Sequence, residues 1–264
     1  MKKILSLILL ASLLLSLFSS CSRTPESLIE KAEKKLKKGS YEIEVSVDYT
    51  VADEEIALIF EQLESSETKI LVEKDGVAIE KALVIDYGEV KSEFINTYVI
   101  VGGRVFLNMS YKSNGAVNST KSSAALTDAE REDIVNRAKL IGNIGINSFN
   151  EVKCERLDGE YRIICTEVKE DSRARLEGIL ISELEGAVET VGIRSSRLTV
   201  VIEDGAYDSV TLECEYELKL SGKTYSLRAE YELEYDFDEW VDITLPENYA
   251  SYSEVDLNAI LDTL

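Results

Sequence analysis

Between Tyr41 and Val51 apolar and polar residues alternate without a slip. Tyr41, Ile43, Val45, Val47, Tyr49 and Val51 fall on one phase, and Glu42, Glu44, Ser46, Asp48 and Thr50 on the other. Side chains of an extended chain point alternately to opposite faces, so this run predicts a strand with one dry and one wet face. The same period recurs in Ser209–Leu220 and Tyr225–Phe237. With Gly222-Lys223 as the loop, the predicted pairs are Leu220–Tyr225, Leu218–Leu227, Tyr216–Ala229, Cys214–Tyr231, Leu212–Leu233 and Val210–Tyr235. Every apolar residue then meets an apolar partner, and a slip of one residue would turn the dry face to water.

Further strand-like runs are Thr68–Lys74 and Val77–Tyr87, joined by Asp75-Gly76, and Phe94–Val101 and Arg104–Tyr111, joined by Gly102-Gly103. Both joints are dipeptides that tolerate positive φ in hairpin turns. Val152–Val168 folds back around Asp158-Gly159, Arg194–Glu203 is another strand, and Val241–Leu245 is a last short one before Pro246. Lys112–Ser123 is polar and low in complexity, and reads as a flexible loop suited to a lid.

Helices punctuate this pattern. Thr24 and Pro25 open one that carries Leu28, Ile29, Ala32 and Leu36 and closes at Gly39. Asp53–Glu64 reads as a short helix. Thr127-Asp128-Ala129-Glu130 is a capping box ahead of Ile134, Val135, Ala138 and Ile141. A third helix is predicted over Asp171–Thr190, and a terminal one over Val255–Leu264. Long one-faced hairpins interrupted by amphipathic helices imply an α+β class. The expected architecture is a curved antiparallel sheet, a half-barrel, with helices on its concave face.

The first twenty residues set the compartment. Lys2 and Lys3 precede an apolar run from Ile4 to Phe18, shorter than the roughly 20 residues of a spanning helix and of the length of an export signal. The run ends in Leu17-Phe18-Ser19-Ser20-Cys21, which resembles a bacterial lipobox, with Phe18 where Leu is usual. That resemblance implies lipidation of Cys21 and tethering to the extracytoplasmic face of the cell membrane, the outer membrane included if the host has two. The reading divides the chain into a signal peptide (1–20), a lipidated N-terminus and tether (21–24) and one α+β domain (25–264). Arg23, Lys31, Lys34, Lys35, Lys37 and Lys38 outnumber Glu26, Glu30 and Glu33 next to the anchor. This helix either lies against anionic head groups or is a solvated face with i,i+4 pairs.

Composition removes several function classes. With 29 Lys+Arg against 50 Asp+Glu, a net charge of −21 and no histidine, the chain is a poor match for nucleic acid and lacks the usual acid–base residue and metal ligand. Neither a nucleophile elbow nor a phosphate-binding glycine loop occurs, so the chain reads as a non-enzyme without cofactor or metal. Cys154 and Cys165 flank the Asp158-Gly159 turn. A four-residue loop would place them opposite each other and a two-residue loop diagonally, so they form a disulfide or two small core residues. Cys214 lies on a dry face. The wet faces put Glu215 opposite Glu230 and Glu213 opposite Glu232, near Glu234 and Asp236. Such like-charge pairs cost stability, and they are either a Ca²⁺ site or a solvated face.

The order of lipobox, short helix, long strand, hairpins, helical middle and closing hairpins is similar to the LolA-like lipoproteins, including the LprG/LppX type. Asn96-Thr97-Tyr98-Val99-Ile100-Val101-Gly102-Gly103-Arg104-Val105-Phe106-Leu107 resembles that family's central hairpin, and Asp242-Ile243-Thr244-Leu245-Pro246 its closing strand. The resemblance implies an acyl-chain cavity between sheet and helices. The dry-face residues expected to line it are Tyr41, Ile43, Val45, Val47, Tyr49, Leu212, Tyr216, Leu227, Tyr231, Leu233 and Tyr235. The alternative is a surface interaction module in which the same residues form a solid core. The expected partners are the membrane, through the lipid, and a lipid-like amphiphile.

Overall fold

A computed structural model describes residues 24–264 apart from 55, 58–59, 62–65, 87–90, 142–143, 185–187 and 238–242. Cys21 and the signal segment lie outside the described residues. Among the described residues twelve strands form one sheet in the order β12-β6-β5-β4-β3-β2-β1-β11-β10-β9-β8-β7, antiparallel throughout except for the β12–β6 pair. The strands are β1 (Tyr41–Val51), β2 (Ser66–Val72), β3 (Gly76–Asp86), β4 (Lys91–Val101), β5 (Arg104–Ser113), β6 (Ala116–Ala125), β7 (Phe149–Leu157), β8 (Glu160–Val168), β9 (Thr190–Glu203), β10 (Ala206–Leu220), β11 (Lys223–Asp236) and β12 (Ser253–Glu254). The helices are α1 (Pro25–Leu36), α2 (Asp128–Ala138), α3 (Glu170–Glu183) and α4 (Leu257–Leu261).

The strand with the strictest alternation sits near the centre. β1 pairs with β11 through Ile43–Tyr235, Val45–Leu233 and Val47–Tyr231, and with β2 on its other side. Ile43, Val45, Val47 and Tyr49 are all buried, as the period requires. The β10–β11 hairpin keeps the predicted faces but not the predicted partners. Its loop is Ser221-Gly222, both at positive φ (49° and 77°), so Leu218 meets Tyr225, Tyr216 meets Leu227 and Leu212 meets Tyr231. The register is two residues away from the expected one. A shift of two preserves facing, so the hydrophobic pattern cannot distinguish the two registers. A two-residue turn with both φ positive matches the twist of the flanking strands.

This shift rewrites the wet face. Glu213 lies opposite Glu230, but Glu215 lies opposite Arg228 rather than a second carboxylate. Arg228 donates hydrogen bonds to Glu213 and Glu230 at 3.3 and 3.4 Å. Glu232 pairs across the ladder with Thr211 and Ser46, and its carboxyl is pushed up by desolvation and by Glu234, Glu230 and Asp48.

Lys112–Ser123 is not a loop. Asn114-Gly115, at φ 49° and 80°, turns the chain between β5 and β6, which pair from Arg104–Ala125 to Ser113–Ala116. Polar composition there marks a strand stretch wet on both faces, since Ala116 to Thr120 are exposed. The expected strand Val241–Leu245 begins outside the described residues, and Ile243–Leu245 is not in a strand. Ile243 instead donates its N–H to the Glu73 carboxylate at 3.3 Å and packs over the β2–β3 turn. A Cβ on Gly76 would come within 2.9 Å of the Ile243 side chain, so this approach requires glycine.

Cys154 and Cys165 are thiols, not a disulfide. The Asp158-Gly159 turn is the two-residue form, and Cys154 lies opposite Ile163 while Cys165 lies opposite Val152. The two sulfurs are therefore on the diagonal, and Cys165 is completely buried.

The helix starts follow the sequence. The Thr24 hydroxyl accepts from the Ser27 N–H ahead of Pro25. Thr127 and Glu130 form the reciprocal capping box of α2, with the Thr127 N–H donating to the Glu130 carboxylate at 2.6 Å. α3 ends at Glu183, earlier than the expected Thr190. In the expected helix over Asp53–Glu64, residues 54, 56, 57, 60 and 61 are helical, and the Phe60 ring lies 5.0 Å from that of Tyr49. Leu28 and Ala32 of α1, Ile134 and Ala138 of α2 and Leu176 and Leu180 of α3 are buried in the same core as the dry face of the sheet. Each large aliphatic side chain so placed contributes about 1.5–3 kcal/mol.

Candidate functional site

The paired strands β2 to β6 place their core-side residues in cross-strand rows. One row is Val72, Val77, Ile100, Val105 and Ala124; the next is Ile70, Ile79, Tyr98, Leu107 and Ser122. These two rows are aliphatic or aromatic up to the β6 edge. The third row is Thr68, Lys81, Asn96, Met109 and Thr120, and the fourth is Ser66, Leu83, Phe94, Tyr111 and Asn118. Four of the five residues in the third row are polar. Residues of this kind do not close-pack against helices without partners for their polar atoms, and here the packing opens.

All ten residues of the third and fourth rows line a cleft of ≈ 1110 Å³. Its opposite wall is built from Asp133, Asn136, Arg137 and Leu140 of α2 and its C-terminal end, and from Arg175, Gly178 and Ile179 of α3. Leu261 to Leu264 close one end, and Val47 and Tyr49 of β1 border it. Specific ligand pockets usually span about 300–1,000 Å³, so the space suits a small molecule or one lipid chain with its head group.

Three supports hold the walls apart. Tyr98, wholly buried in the second row, donates its hydroxyl to the Thr263 carbonyl at 2.6 Å, and Lys81 donates to the main-chain oxygen of Leu264. These bonds hold the segment after α4 at the edge of the floor. Arg131 of α2 donates to the Glu73 and Gly76 carbonyls at 3.2 Å each, fixing α2 to the β2–β3 turn. The Tyr216 hydroxyl donates to the Leu176 carbonyl at 3.1 Å, and Arg173 donates to the Ile193 carbonyl at 2.8 Å, fixing α3 to β10 and β9.

The apolar share of the lining comes from Val47, Tyr49, Leu83, Phe94, Met109, Leu140, Ile179 and Leu261. Phe94 and Tyr111 stand 4.7 Å apart and are 39% and 37% exposed, so the fourth row opens to solvent there. The charged side chains of the lining are Lys81, Arg137 and Arg175 with Asp133 and Asp262, and the Leu264 main-chain oxygen bonded to Lys81 lies beside them. Arg137 donates to Asp133 at 2.9 Å across one helical turn. Gly178 lies inside α3 with open space around the position of a Cβ. A mid-helix glycine costs about 1 kcal/mol relative to alanine, and here close packing does not require it.

Of the eleven residues expected to line a cavity, Val47 and Tyr49 do so. Tyr41, Ile43, Val45, Leu212, Tyr216, Leu227, Tyr231 and Leu233 belong to the packed core instead, and Tyr235 is half-buried against it. The cleft lies on the β2–β6 side of β1, not on the β10–β11 side. A sequence signal for it does exist: Lys81 and Asn96 interrupt otherwise apolar phases that contain Val77, Ile79, Tyr98 and Ile100.

No family model matches the chain, and no curated protein is similar to it. Among solved structures, an N-terminal dehydratase from the difficidin assembly line is 8% identical, covering 73% of this chain and 94% of that one, with a TM-score of 0.17. The dehydratase domain from the CurK module of curacin polyketide synthase is 12% identical, covers 75% and 76%, and scores 0.17. The corresponding CurF domain is 14% identical, covers 80% and 81%, and scores 0.19. Overlaps this weak carry no argument about this chain.

Proposed function

We propose that the chain is a lipoprotein, tethered through Cys21 to the extracytoplasmic face of a membrane, that carries a lipid-like amphiphile between its sheet and its helices. In this reading the sheet is curved like the half-barrels of LolA-like lipoproteins, with α2 and α3 on its concave side. A twisted open sheet rarely exceeds about 10 strands without curling, and this one has twelve. The observation that carries the reading is the ≈ 1110 Å³ cleft, whose lining combines Leu83, Phe94, Met109 and Ile179 with polar groups. No catalytic step is assigned to it.

The test is organic extraction of the full chain purified from its own membranes, followed by mass spectrometry. An amphiphile other than the covalent lipid, present near one per chain and lost when the cleft is filled, is the expected result. Its absence overturns the proposal. The second reading, an interaction module with a solid core, is favoured by the close packing of Tyr216, Leu227, Tyr231 and Leu233, all at most 2% exposed. It expects no extractable ligand.

A further inference from the structure

We propose that α1 lies flat on the membrane and binds anionic lipid head groups through a stripe of lysines. This contact goes beyond the carrier reading but rests on its lipid tether. Lys31, Lys34, Lys35, Lys37 and Lys38 fall within eight residues, and all five are exposed. Lys31, Lys34, Lys35 and Lys38 have the i, i+3, i+4, i+7 spacing that puts side chains on one side of a helix. The helical course carries on past Leu36, with the Lys38 N–H donating to the Lys35 carbonyl at 3.1 Å. Leu28 and Ala32 bury a different side in the core, so folding leaves the stripe in water.

Little of this charge is committed within the molecule. The side chains of Lys31, Lys37 and Lys38 make neither an ion pair nor a hydrogen bond among the described residues. The Lys31 arm crosses the β9–β10 turn at Gly205 without pairing with the neighbouring Asp204. Lys34 donates to Glu30 at 2.6 Å, but the two side chains are 65% and 66% exposed, and so hydrated a pair is weak. The Lys35 ammonium stands 4.8 Å from the centre of the Phe237 ring. The acidic residues of the helix, Glu26, Glu30 and Glu33, share the adjacent stripe.

The occupant is lipid for three reasons. Residues 40–264 carry 47 carboxylates against 21 lysines and arginines, so most of the molecule is repelled by an anionic surface while this segment is attracted. Cys21 precedes Thr24 by three residues, a reach of about 10 Å at full extension. An upright α1 would hold Lys31 to Lys38 about 10–20 Å from its tethered end, beyond the Debye length of about 8 Å, whereas a flat one brings them all to the head groups. The stripe is also made of lysine without arginine. Protein interfaces enrich arginine and deplete lysine, while a plane of mobile head groups is met by hydrated point charges on long arms.

The test uses the full chain purified from its own membranes and reconstituted in vesicles of phosphatidylcholine, alone or mixed with phosphatidylglycerol. Brief labelling with an amine-reactive reagent, read by peptide mass spectrometry, reports each lysine, with Lys112 and Lys219 near the C-terminal ends of β5 and β10 as controls. Lys31, Lys34, Lys37 and Lys38 should label about fivefold more slowly on the mixed vesicles, the factor equivalent to roughly 1 kcal/mol per lysine at an anionic surface. The controls should not change, and about 1 M salt, where the Debye length is about 3 Å, should abolish the difference. Lys34→Gln with Lys38→Gln should expose Lys31 and Lys37 to label again, while Lys34→Arg with Lys38→Arg should keep them protected. Equal labelling on the two vesicles, or protection that survives salt or the glutamine pair, overturns the contact and leaves the tether standing. Protection that grows with protein concentration and needs no phosphatidylglycerol would put a second copy on the stripe and also overturn it. Flotation with mixed vesicles but not with phosphatidylcholine overturns the tether alone, and flotation with neither overturns both.

Discussion

Gly178 separates the carrier from the solid module most cleanly. It sits inside α3, five residues before the helix ends at Glu183, and apart from its chain neighbours and the backbone of its own helix no heavy atom lies within 4 Å of where its Cβ would be. Gly178→Ala should therefore meet no clash and gain helix propensity of about 1 kcal/mol, from reduced backbone freedom in the unfolded chain. For a chain of this size that corresponds to a rise in melting temperature of about 2–4 °C. Gly178→Leu keeps most of the propensity gain but projects an isobutyl group into the cleft between α3 and the third and fourth rows. Melting by circular dichroism and amphiphile retention by native mass spectrometry, measured on the same samples, give the answer. Alanine should raise the melting temperature with retention intact, whereas leucine should raise it and lose most of the ligand. A fall in melting temperature for alanine would mean that the space beside α3 is filled. A stable leucine variant with undiminished retention would mean that the ligand does not sit against this wall.

Thr127→Ala removes the hydroxyl half of the α2 capping box and should cost about 1 kcal/mol, read as a lower urea midpoint with an unchanged slope. Tyr98→Phe deletes the buried hydroxyl that holds the Thr263 carbonyl, and should speed amide exchange in Leu257–Leu261 by severalfold while the β1–β11 ladder stays protected. Burial pushes the Cys165 and Cys214 thiols up to about 11 and about 12. Both should thus resist iodoacetamide at pH 8.5 until urea unfolds the chain. The unfolded state ionises these thiols from about pH 9 and the folded state does not, so their contribution to stability is present below pH 9 and is lost as the pH rises towards 11–12. Cys214→Ala should reduce the fall in stability between pH 8 and pH 10, and an unchanged fall would refute the assignment. Lys69 is the ion-pair partner of Glu42, whose side chain is 5% exposed, so Lys69→Ala should destabilise the fold clearly more than Lys112→Ala, whose partner Glu93 is 32% exposed.

The features legible in the sequence are those settled within a few residues. The Thr127–Glu130 box, the Gly102-Gly103 turn at φ 59° and 71°, and the wet and dry faces of β1 all follow from local sterics and a period of two. Sequence and structure differ where local chemistry allows two outcomes. Ser221-Gly222 and Gly222-Lys223 each make an acceptable hairpin loop, and both leave the apolar faces matched. Asn114-Gly115 was hidden in a stretch too polar to read as strand, because both of its faces are wet.

The cleft belongs to a different class of feature. From the chain alone, Lys81 and Asn96 are polar interruptions in two separate strands, Phe94 and Met109 are ordinary apolar residues, and Gly178 is a weak point in a helix. The sequence by itself determined the one-faced strands, the caps and turns, and the acidic excess, since each depends on neighbours a few positions away. Only the tertiary structure decided that Thr68, Lys81, Asn96, Met109 and Thr120 form one row under α2 and α3. That row is fixed by the joint register of five strands and by where two helices dock, and pairings that distant leave no period in the chain.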